Sequence, residues 1–201
     1  MYCDAGTILS CLSNNVNIEV SILDISLFVV LSCKRICNFP EVKTMSIEKV
    51  RKYFSSLGIE DRILEFDVSS ATVELAAKAL NTEGKRIAKT LSFLVGERAV
   101  LVVAAGDAKI DNKKFKAFFH AKAKMLSPEQ VTELIGHAVG GVCPFAVNDG
   151  VDVYLDESLR RFETVFPACG SSNSAVELTI PELEKYSGFK EWIDVCKLPE
   201  A

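Results

Sequence analysis

The 201-residue chain has few histidines and lacks the residue spacings that are typical of metal centres and nucleophilic enzymes. Its only two histidines are His120 and His137, and the Cys33 and Cys37 pair has no second pair to complete a zinc site. Neither a Gly-x-Ser-x-Gly sequence nor a phosphate-binding Walker sequence is present. The sequence therefore predicts a site without a metal ion or cofactor, with a structural zinc as the weaker alternative.

The sequence also lacks an excess of positive charge and an uninterrupted apolar segment of the kind that crosses a membrane. The formal net charge of −4 argues against a protein that coats DNA or anionic membranes, because such binding relies on many Lys and Arg side chains. The most apolar run, 16–33, contains Glu19 and Asp24 and follows no basic region, unlike a signal peptide or a transmembrane helix. An amphipathic anchor or a cleaved leader remains the alternative. Seven cysteines without a pairing pattern indicate reduced thiols and a cytoplasmic location.

The chain changes in character near residue 45. Residues 1–44 are rich in Cys, Ser and Asn and show no helical or strand period. We therefore expect an N-terminal extension that is poorly ordered or absent from the mature product, followed by a folded domain over 45–201. That domain is expected to begin with a helix that Ser46 caps and that runs to about Leu57.

Strand and helix patterns then alternate without the regular rhythm of a parallel sheet. The predicted elements are a strand at 63–68, a helix from Ser70 to Leu80, a hairpin of 86–95 and 99–105, a helix at 111–119, a helix start at Ser127-Pro128, a strand at 151–155, a hairpin of 162–168 and 175–180, and a helix from Pro181. Hairpins mixed with scattered helices predict an α+β fold around a strongly curved sheet or partial barrel.

Lys89 is the most unusual residue of the first predicted hairpin. Strand alternation places it on the same face as Ile87, Leu91 and Phe93. If that face is buried, the ammonium needs an anionic or carbonyl partner, because an unpaired buried charge is very costly. The alternative is a slipped register that leaves Lys89 in solvent.

The run from Gly136 to Phe145 is predicted to be a shaped loop, because Gly140, Gly141 and Pro144 cannot lie in a helix interior. Its apolar residues suit a turn pressed into the protein, with backbone N–H groups facing a small ligand. A buried connection stiffened by a proline is the alternative. Cys143 as a nucleophile and His137 as a general base are weaker possibilities.

One basic cluster stands out from the acidic background. It consists of Lys109, Lys113, Lys114, Lys116, Lys122 and Lys124. Such local charge suits the docking of one polyanionic end, although a solvated helix face explains the same residues.

Four motifs in a fixed order resemble a known family. They are Arg86-Ile87-Ala88-Lys89-Thr90-Leu91, Gly140-Gly141-Val142-Cys143-Pro144-Phe145, Val151-Asp152-Val153-Tyr154-Leu155-Asp156, and Ala168-Cys169-Gly170-Ser171. Together they resemble the YbaK/ProX family of aminoacyl-tRNA deacylases, relatives of the editing domain inserted in bacterial prolyl-tRNA synthetases. The resemblance covers Met45 to the C-terminus.

The resemblance implies a single compact α+β domain with a mixed, barrel-like sheet flanked by helices. It implies a cytoplasmic, metal-free and cofactor-free hydrolase that deacylates mischarged aminoacyl-tRNA, with tRNA(Pro) carrying Cys or Ala as the expected substrate. It assigns catalysis to Lys89 and substrate binding to Gly140, Gly141, Val142, Cys143, Pro144, Gly170 and Ser171. Docking of the tRNA acceptor end is expected at Lys109, Lys113, Lys114 and Lys116, and prolyl-tRNA synthetase is a further candidate partner.

A different class of function is also compatible with the sequence. A non-catalytic module of the same fold would bind an aminoacyl-tRNA 3′ end, a nucleotide or a synthetase without hydrolysing the ester. The two hypotheses differ in whether the bound ester is lost faster than in buffer.

Overall fold

A computed structural model of the chain describes residues 46–199. The predicted extension over 1–44, including the apolar run at 16–33, lies outside the described residues. The α-helices are α1 (Ser46–Ser56), α2 (Val73–Ala79), α3 (Asn112–Phe119), α4 (Pro128–Gln130) and α5 (Ile180–Ser187). The strands are β1 (Ile63–Glu65), β2 (Ile87–Val95), β3 (Arg98–Ala105), β4 (Lys109–Ile110), β5 (Lys124–Met125), β6 (Asp152–Asp156), β7 (Thr164–Pro167), β8 (Ser174–Val176), β9 (Leu178–Thr179), β10 (Glu191–Ile193) and β11 (Cys196–Lys197).

The antiparallel hairpin of β2 and β3 forms the centre of a mixed sheet. The strand order is β10-β6-β3-β2-β7-β9, and β5 also pairs with β2. The turn is made at Gly96, which has a positive φ of 61°. β6 lies parallel to β3, and β7 lies parallel to β2. The sheet curls into a half-barrel, so the predicted α+β fold with a curved, mixed sheet is confirmed.

The curled sheet leaves part of one strand edge unpaired. On the side of β2 opposite β3, β7 pairs only with Ile87 and Ala88, whereas β5 pairs only with Phe93 and Leu94. Between these two contacts, no described strand covers the edge of β2. The carbonyl of Ser92 bonds to the N–H of Leu126 on this side. Alternate residues of a strand direct their backbone groups to the same side, so the N–H and C=O of Thr90 face this opening.

Aromatic side chains fill the space between the sheet and its helices. Phe54 of α1 is fully buried and lies edge-on to Phe145, with ring centroids 4.9 Å apart. Phe115 of α3 packs on Phe93 of β2 at the same centroid distance. Seven of the eight residues of β3 are buried, as expected for a strand that is covered on both faces.

Several predicted boundaries hold because they depend on local capping. Asp111 caps α3 by accepting the backbone N–H groups of Lys113 and Lys114. At the helix start predicted for Ser127-Pro128, Ser127 and Gln130 form a capping box, and the single turn of α4 is followed by a π-helical turn, Val131–Ile135.

One predicted helix start and one predicted cap are wrong. α2 begins later than expected and is capped by Thr72, because Ser70 instead donates its N–H to the carbonyl of Ser172. Ser46 lies within α1, and its hydroxyl donates to the carbonyl of Gly170 rather than capping the helix. In both cases a distant segment of chain takes the polar group that sequence alone assigned to a cap.

Other predicted bounds need smaller corrections. The strand predicted at 63–68 is shortened to β1, and the last helix begins at Ile180, where Thr179 and Glu182 form a capping box. The hairpin predicted at 162–168 and 175–180 is formed by β7 and β9, with β8 pairing with β1 instead. No helix in the part of the chain covered by the structure is long and apolar enough to cross a membrane.

Candidate functional site

A cavity of about 450 Å³ opens beside the unpaired edge of β2. Its walls come from β2, the start of α2, the end of β7, β5 and the glycine loop at 139–142. Lys89, Gly140 and Val142 all line it. The topology of the half-barrel therefore brings together a strand residue and a loop separated by about fifty positions in the sequence.

The Lys89 amine is held by the turn that follows β3. Its Nζ donates hydrogen bonds to the carbonyls of Gly106, at 2.9 Å, and Ala108. Burial lowers the pKa of this half-buried ammonium. The expected carbonyl partner is confirmed, and the slipped register that would leave Lys89 in solvent is wrong. Because an ammonium has three N–H donors, two carbonyls leave one N–H for a further acceptor.

The turn that holds the amine is itself fixed by neighbouring groups. Asp107 receives a two-pronged ion pair from Arg161, with N–O distances of 2.6 and 3.1 Å. This contact lowers the pKa of the Asp107 carboxyl. Gly106 has no room for a side chain, since a Cβ there would lie 2.0 Å from the carbonyl oxygen of Gly84. The carbonyls around Lys89 are thus held in place on both sides.

The two predicted glycine segments pack directly against each other. Gly140 has a φ of 87°, and a Cβ at Gly141 would lie 2.5 Å from the backbone carbon of Gly170 and from the N of Ser171. Gly141, Pro144 and Gly170 are buried and do not line the cavity. Among the predicted binding residues, Gly140 and Val142 form the wall, whereas these buried residues and Ser171 support it from behind.

Cys143 and His137 lie close together beneath the loop, away from the cavity. Both are fully buried, with Cys143 Sγ 3.8 Å from His137 Nδ1. Burial raises the pKa of the Cys143 thiol to about 12. Burial, aided by the positive charge of Lys49, lowers the pKa of His137 to about 4. Because both side chains are fully buried and neither lines the cavity, a substrate there would not reach them, and the structure does not support the nucleophile or general-base alternatives.

His137 instead contributes to the conformation of the loop. The backbone N–H of Cys143 donates to His137 Nδ1 at 3.3 Å, which closes the segment between them. The loop therefore combines the shaped conformation expected for a binding site with the buried packing expected for a structural connection. The two interpretations drawn from its sequence do not exclude each other.

Comparison with known proteins identifies the family. The model of the aminoacyl-tRNA editing domain matches residues 68–186, more than half of the chain. The chain belongs to the aminoacyl-tRNA editing domain family. The matched residues include all the elements that line the cavity, so the conclusion drawn from the four sequence motifs is confirmed.

Individual relatives of this editing domain agree with the family. The chain is 56% identical over 154 residues to the uncharacterized protein YwhH of Bacillus subtilis (strain 168), covering 76% of this chain and 98% of that protein. It is 28% identical over 102 residues to a proline–tRNA ligase of Bacillus cereus (strain AH820), covering 50% of this chain but 18% of the ligase. A crystal structure described as a proposed trans-editing enzyme for prolyl tRNA synthetase has a TM-score of 0.68 and 29% identity, covering 76% of this chain and 97% of that one.

The four lysines predicted to dock the tRNA acceptor end divide into two groups in this editing domain. Lys109, Lys113 and Lys116 are exposed around α3. Lys114 is engaged in the fold, since its Nζ lies 2.7 Å from Asp194 Oδ1 and 3.0 Å from the carbonyl of Cys196. The hydrogen bond to Asp194 raises the pKa of Lys114. The cluster predicted as one surface is therefore partly structural.

The editing domain also contains site residues that sequence analysis missed. Thr90 lines the cavity, and its Oγ1 is buried without a hydrogen-bond partner in the described residues. Met125 and Val139 line the cavity and are each 59% exposed. Thr90 directly follows Lys89, but nothing in the local sequence indicates that its strand edge is unpaired.

Proposed function

We propose that this editing domain hydrolyses the ester of tRNA(Pro) mischarged with a small amino acid such as cysteine or alanine. The main observation behind this proposal is that Lys89 and the glycine loop line one cavity of about 450 Å³. Membership of the aminoacyl-tRNA editing domain family supports an aminoacyl-tRNA substrate. The likeness to a proline–tRNA ligase and to a proposed trans-editing enzyme supports tRNA(Pro).

The chemistry needs orientation and charge more than a nucleophile. In the proposed reaction, a water oxygen attacks the ester carbonyl carbon, the bond to the ribose oxygen breaks, and that oxygen takes a proton. Backbone N–H groups near Gly140 would orient the aminoacyl group, and Lys89 would supply positive charge to the carbonyl oxygen or to the adjacent phosphate. Preorganised donors of this kind lower the barrier by stabilising charge as it develops.

The walls of the cavity suit a small uncharged side chain. They include apolar residues such as Val73, Ile87 and Phe166, and no carboxylate lines the cavity within residues 46–199. A cationic amino-acid side chain would therefore find no counter-charge there, and burying it would be costly. This pattern supports alanine or cysteine over cationic amino acids.

The acceptor end is proposed to approach over the exposed lysines. Lys109, Lys113 and Lys116 carry charges that no described carboxylate pairs within 4 Å, in contrast to Lys114. Free cations near one another attract a phosphate backbone in a salt-dependent way. We therefore assign docking mainly to these three lysines and a smaller part to Lys114.

A deacylation panel tests this proposal. Purified protein is incubated with tRNA(Pro) carrying alanine, cysteine or proline, and loss of the ester is measured against buffer. Lys89→Met keeps much of the aliphatic volume but removes the charge, whereas Lys85→Met removes an exposed charge outside the cavity and serves as control. Faster loss of alanine or cysteine with wild type and Lys85→Met, but not with Lys89→Met, is the expected result.

The same experiment separates the remaining alternatives. A lower kcat in Lys89→Met would indicate contact with the carbonyl oxygen, and a higher KM would indicate contact with phosphate. Binding of charged tRNA with no ester loss above buffer would favour the non-catalytic module. Equal rates for wild type and Lys89→Met would remove the proposed role of Lys89.

A further inference from the structure

The hydroxyl of Ser46 joins the two loops that meet behind the cavity wall. Ser46 lies in the first turn of α1 and is only 6% exposed. Its Oγ donates to the carbonyl of Gly170 and accepts the backbone N–H of Ala138 at 3.1 Å. One side chain therefore uses both its donor and an acceptor position on two segments separated by about thirty residues in the sequence.

The backbone segments around Ser46 are in such close contact that they have no room to shift relative to one another. A Cβ at Gly170 would lie 2.6 Å from the carbonyl oxygen of Ser46, and one at Gly141 would lie 2.5 Å from Gly170. The start of α1, the Gly170 turn and the glycine loop are thus stacked in direct contact. A change in the position of any layer is transmitted to the next, because a packed interior does not compress.

We propose that Ser46 is a positioning residue that fixes the spacing of these two loops for the proposed deacylation. Ser46 does not line the cavity, so it acts through Ala138 and Gly170 and not on the substrate. Without the hydroxyl, the N–H of Ala138 and the carbonyl of Gly170 lose their shared partner. Gly140 and Val142, a few residues beyond Ala138, then lose their fixed distance from the opposite wall.

The inference rests on the proposed function for its kinetic readout but not for its structural one. Ser46→Ala removes both hydrogen bonds, and Ser46→Thr keeps a hydroxyl at the same place. Ser187→Ala is a matched control, because Ser187 is 5% exposed, donates a hydrogen bond to the carbonyl of Glu184, and lies outside the cavity. All four full-length proteins are compared at a temperature at which each remains folded.

Two measurements are made on each protein. Deacylation of alanine- and cysteine-charged tRNA(Pro) gives kcat and KM, and NMR-detected hydrogen exchange reports the protection of the Ala138 amide. We expect Ser46→Ala to lower kcat by about 10- to 100-fold with a smaller change in KM, as a misplacement of about 1 Å does in other sites. We also expect faster exchange at Ala138 in Ser46→Ala, recovery in Ser46→Thr, and wild-type behaviour in Ser187→Ala.

The outcomes distinguish this inference from the proposed function. If wild type deacylates and Ser46→Ala keeps its kcat, or keeps the protection of the Ala138 amide, the positioning role is overturned. An equal loss of kcat in Ser187→Ala also overturns it, because the effect would then be a general consequence of losing a buried hydroxyl. If wild type does not deacylate any substrate, the proposed function fails, and exchange at Ala138 alone decides whether Ser46 holds the loops.

Discussion

Gly141→Ala offers a steric test of the contact between the two loops. Gly141 does not have a positive φ, so alanine can adopt its backbone conformation without strain. The new Cβ would nevertheless lie 2.5 Å from the backbone of Gly170 and Ser171. Ordinary contact begins near 3.4 Å, so the two backbones must separate by about 0.9 Å.

The size of the effect follows from this displacement. Inserting a methyl group into packed backbone costs about 1–3 kcal/mol of unfolding free energy. For a domain of this size that corresponds to a fall in Tm of about 2–4 °C per kcal/mol. Moving the cavity wall by almost 1 Å is expected to lower the deacylation kcat by about 100-fold. Activity should therefore fall far more than the folded fraction at 25 °C.

Gly84→Ala provides the matched control. Gly84 also lacks a positive φ, and its new Cβ would meet only Val73 Cγ1 at 3.4 Å. That variant should be neutral or slightly stabilising, because alanine restricts the unfolded chain. The assay is single-turnover deacylation of charged tRNA(Pro), with thermal unfolding of the same samples. A Gly141→Ala protein that keeps wild-type kcat would refute the reasoning that the loops must remain in contact.

Three further predictions concern ionisable groups. The pKa of His137 is about 4 in the folded protein and 6.5 in the unfolded chain. The contribution of His137 to the free energy of unfolding should therefore be fully present above pH 6.5 and fall by about 3 kcal/mol towards pH 4. Chemical denaturation as a function of pH should not show this fall in His137→Asn. Arg62 lowers the pKa of Glu182 from 4.5 to about 2. The stabilisation from this ion pair should therefore be present above pH 4.5 and disappear towards pH 2. Glu182→Gln should lose this acid dependence in the same denaturation assay. The buried Cys143 thiol, with its pKa raised to about 12, should resist iodoacetamide at pH 8 until the protein is unfolded; rapid labelling of its peptide in the native protein, seen by mass spectrometry, would contradict its burial.

Local chemistry explains which parts of the fold were predictable from sequence. The β2–β3 hairpin, the Asp111 cap and the Ser127 capping box depend on neighbouring residues, and all are present. The short strands β10 and β11 were not predicted, and β8, which overlaps the predicted strand at 175–180, was not expected to pair with β1, because each of these pairings involves a partner distant in sequence. The same reason applies to Ser46, whose type indicated a cap but whose partners lie about 90 and 124 residues away.

In the candidate site, too, some features follow from neighbouring residues and others depend on partners distant in sequence. Lys89 was recognisable as a charge within an apolar strand, and Gly140 as part of a loop that cannot be helical. Their presence on one cavity depends on the curl of the sheet, which no short stretch of sequence encodes. The unpaired edge at Thr90 depends on where β5 and β7 end, and the burial of Cys143 depends on packing against the glycine loop.

Single-turnover deacylation by wild type, Lys85→Met and Lys89→Met tests the central claim most directly. The substrates are tRNA(Pro) charged with alanine or cysteine, with the buffer rate subtracted. We predict rapid loss of at least one of these esters with wild type and Lys85→Met, and a rate close to buffer with Lys89→Met. A Lys89→Met protein as fast as wild type would contradict the claim that this amine acts at the cavity.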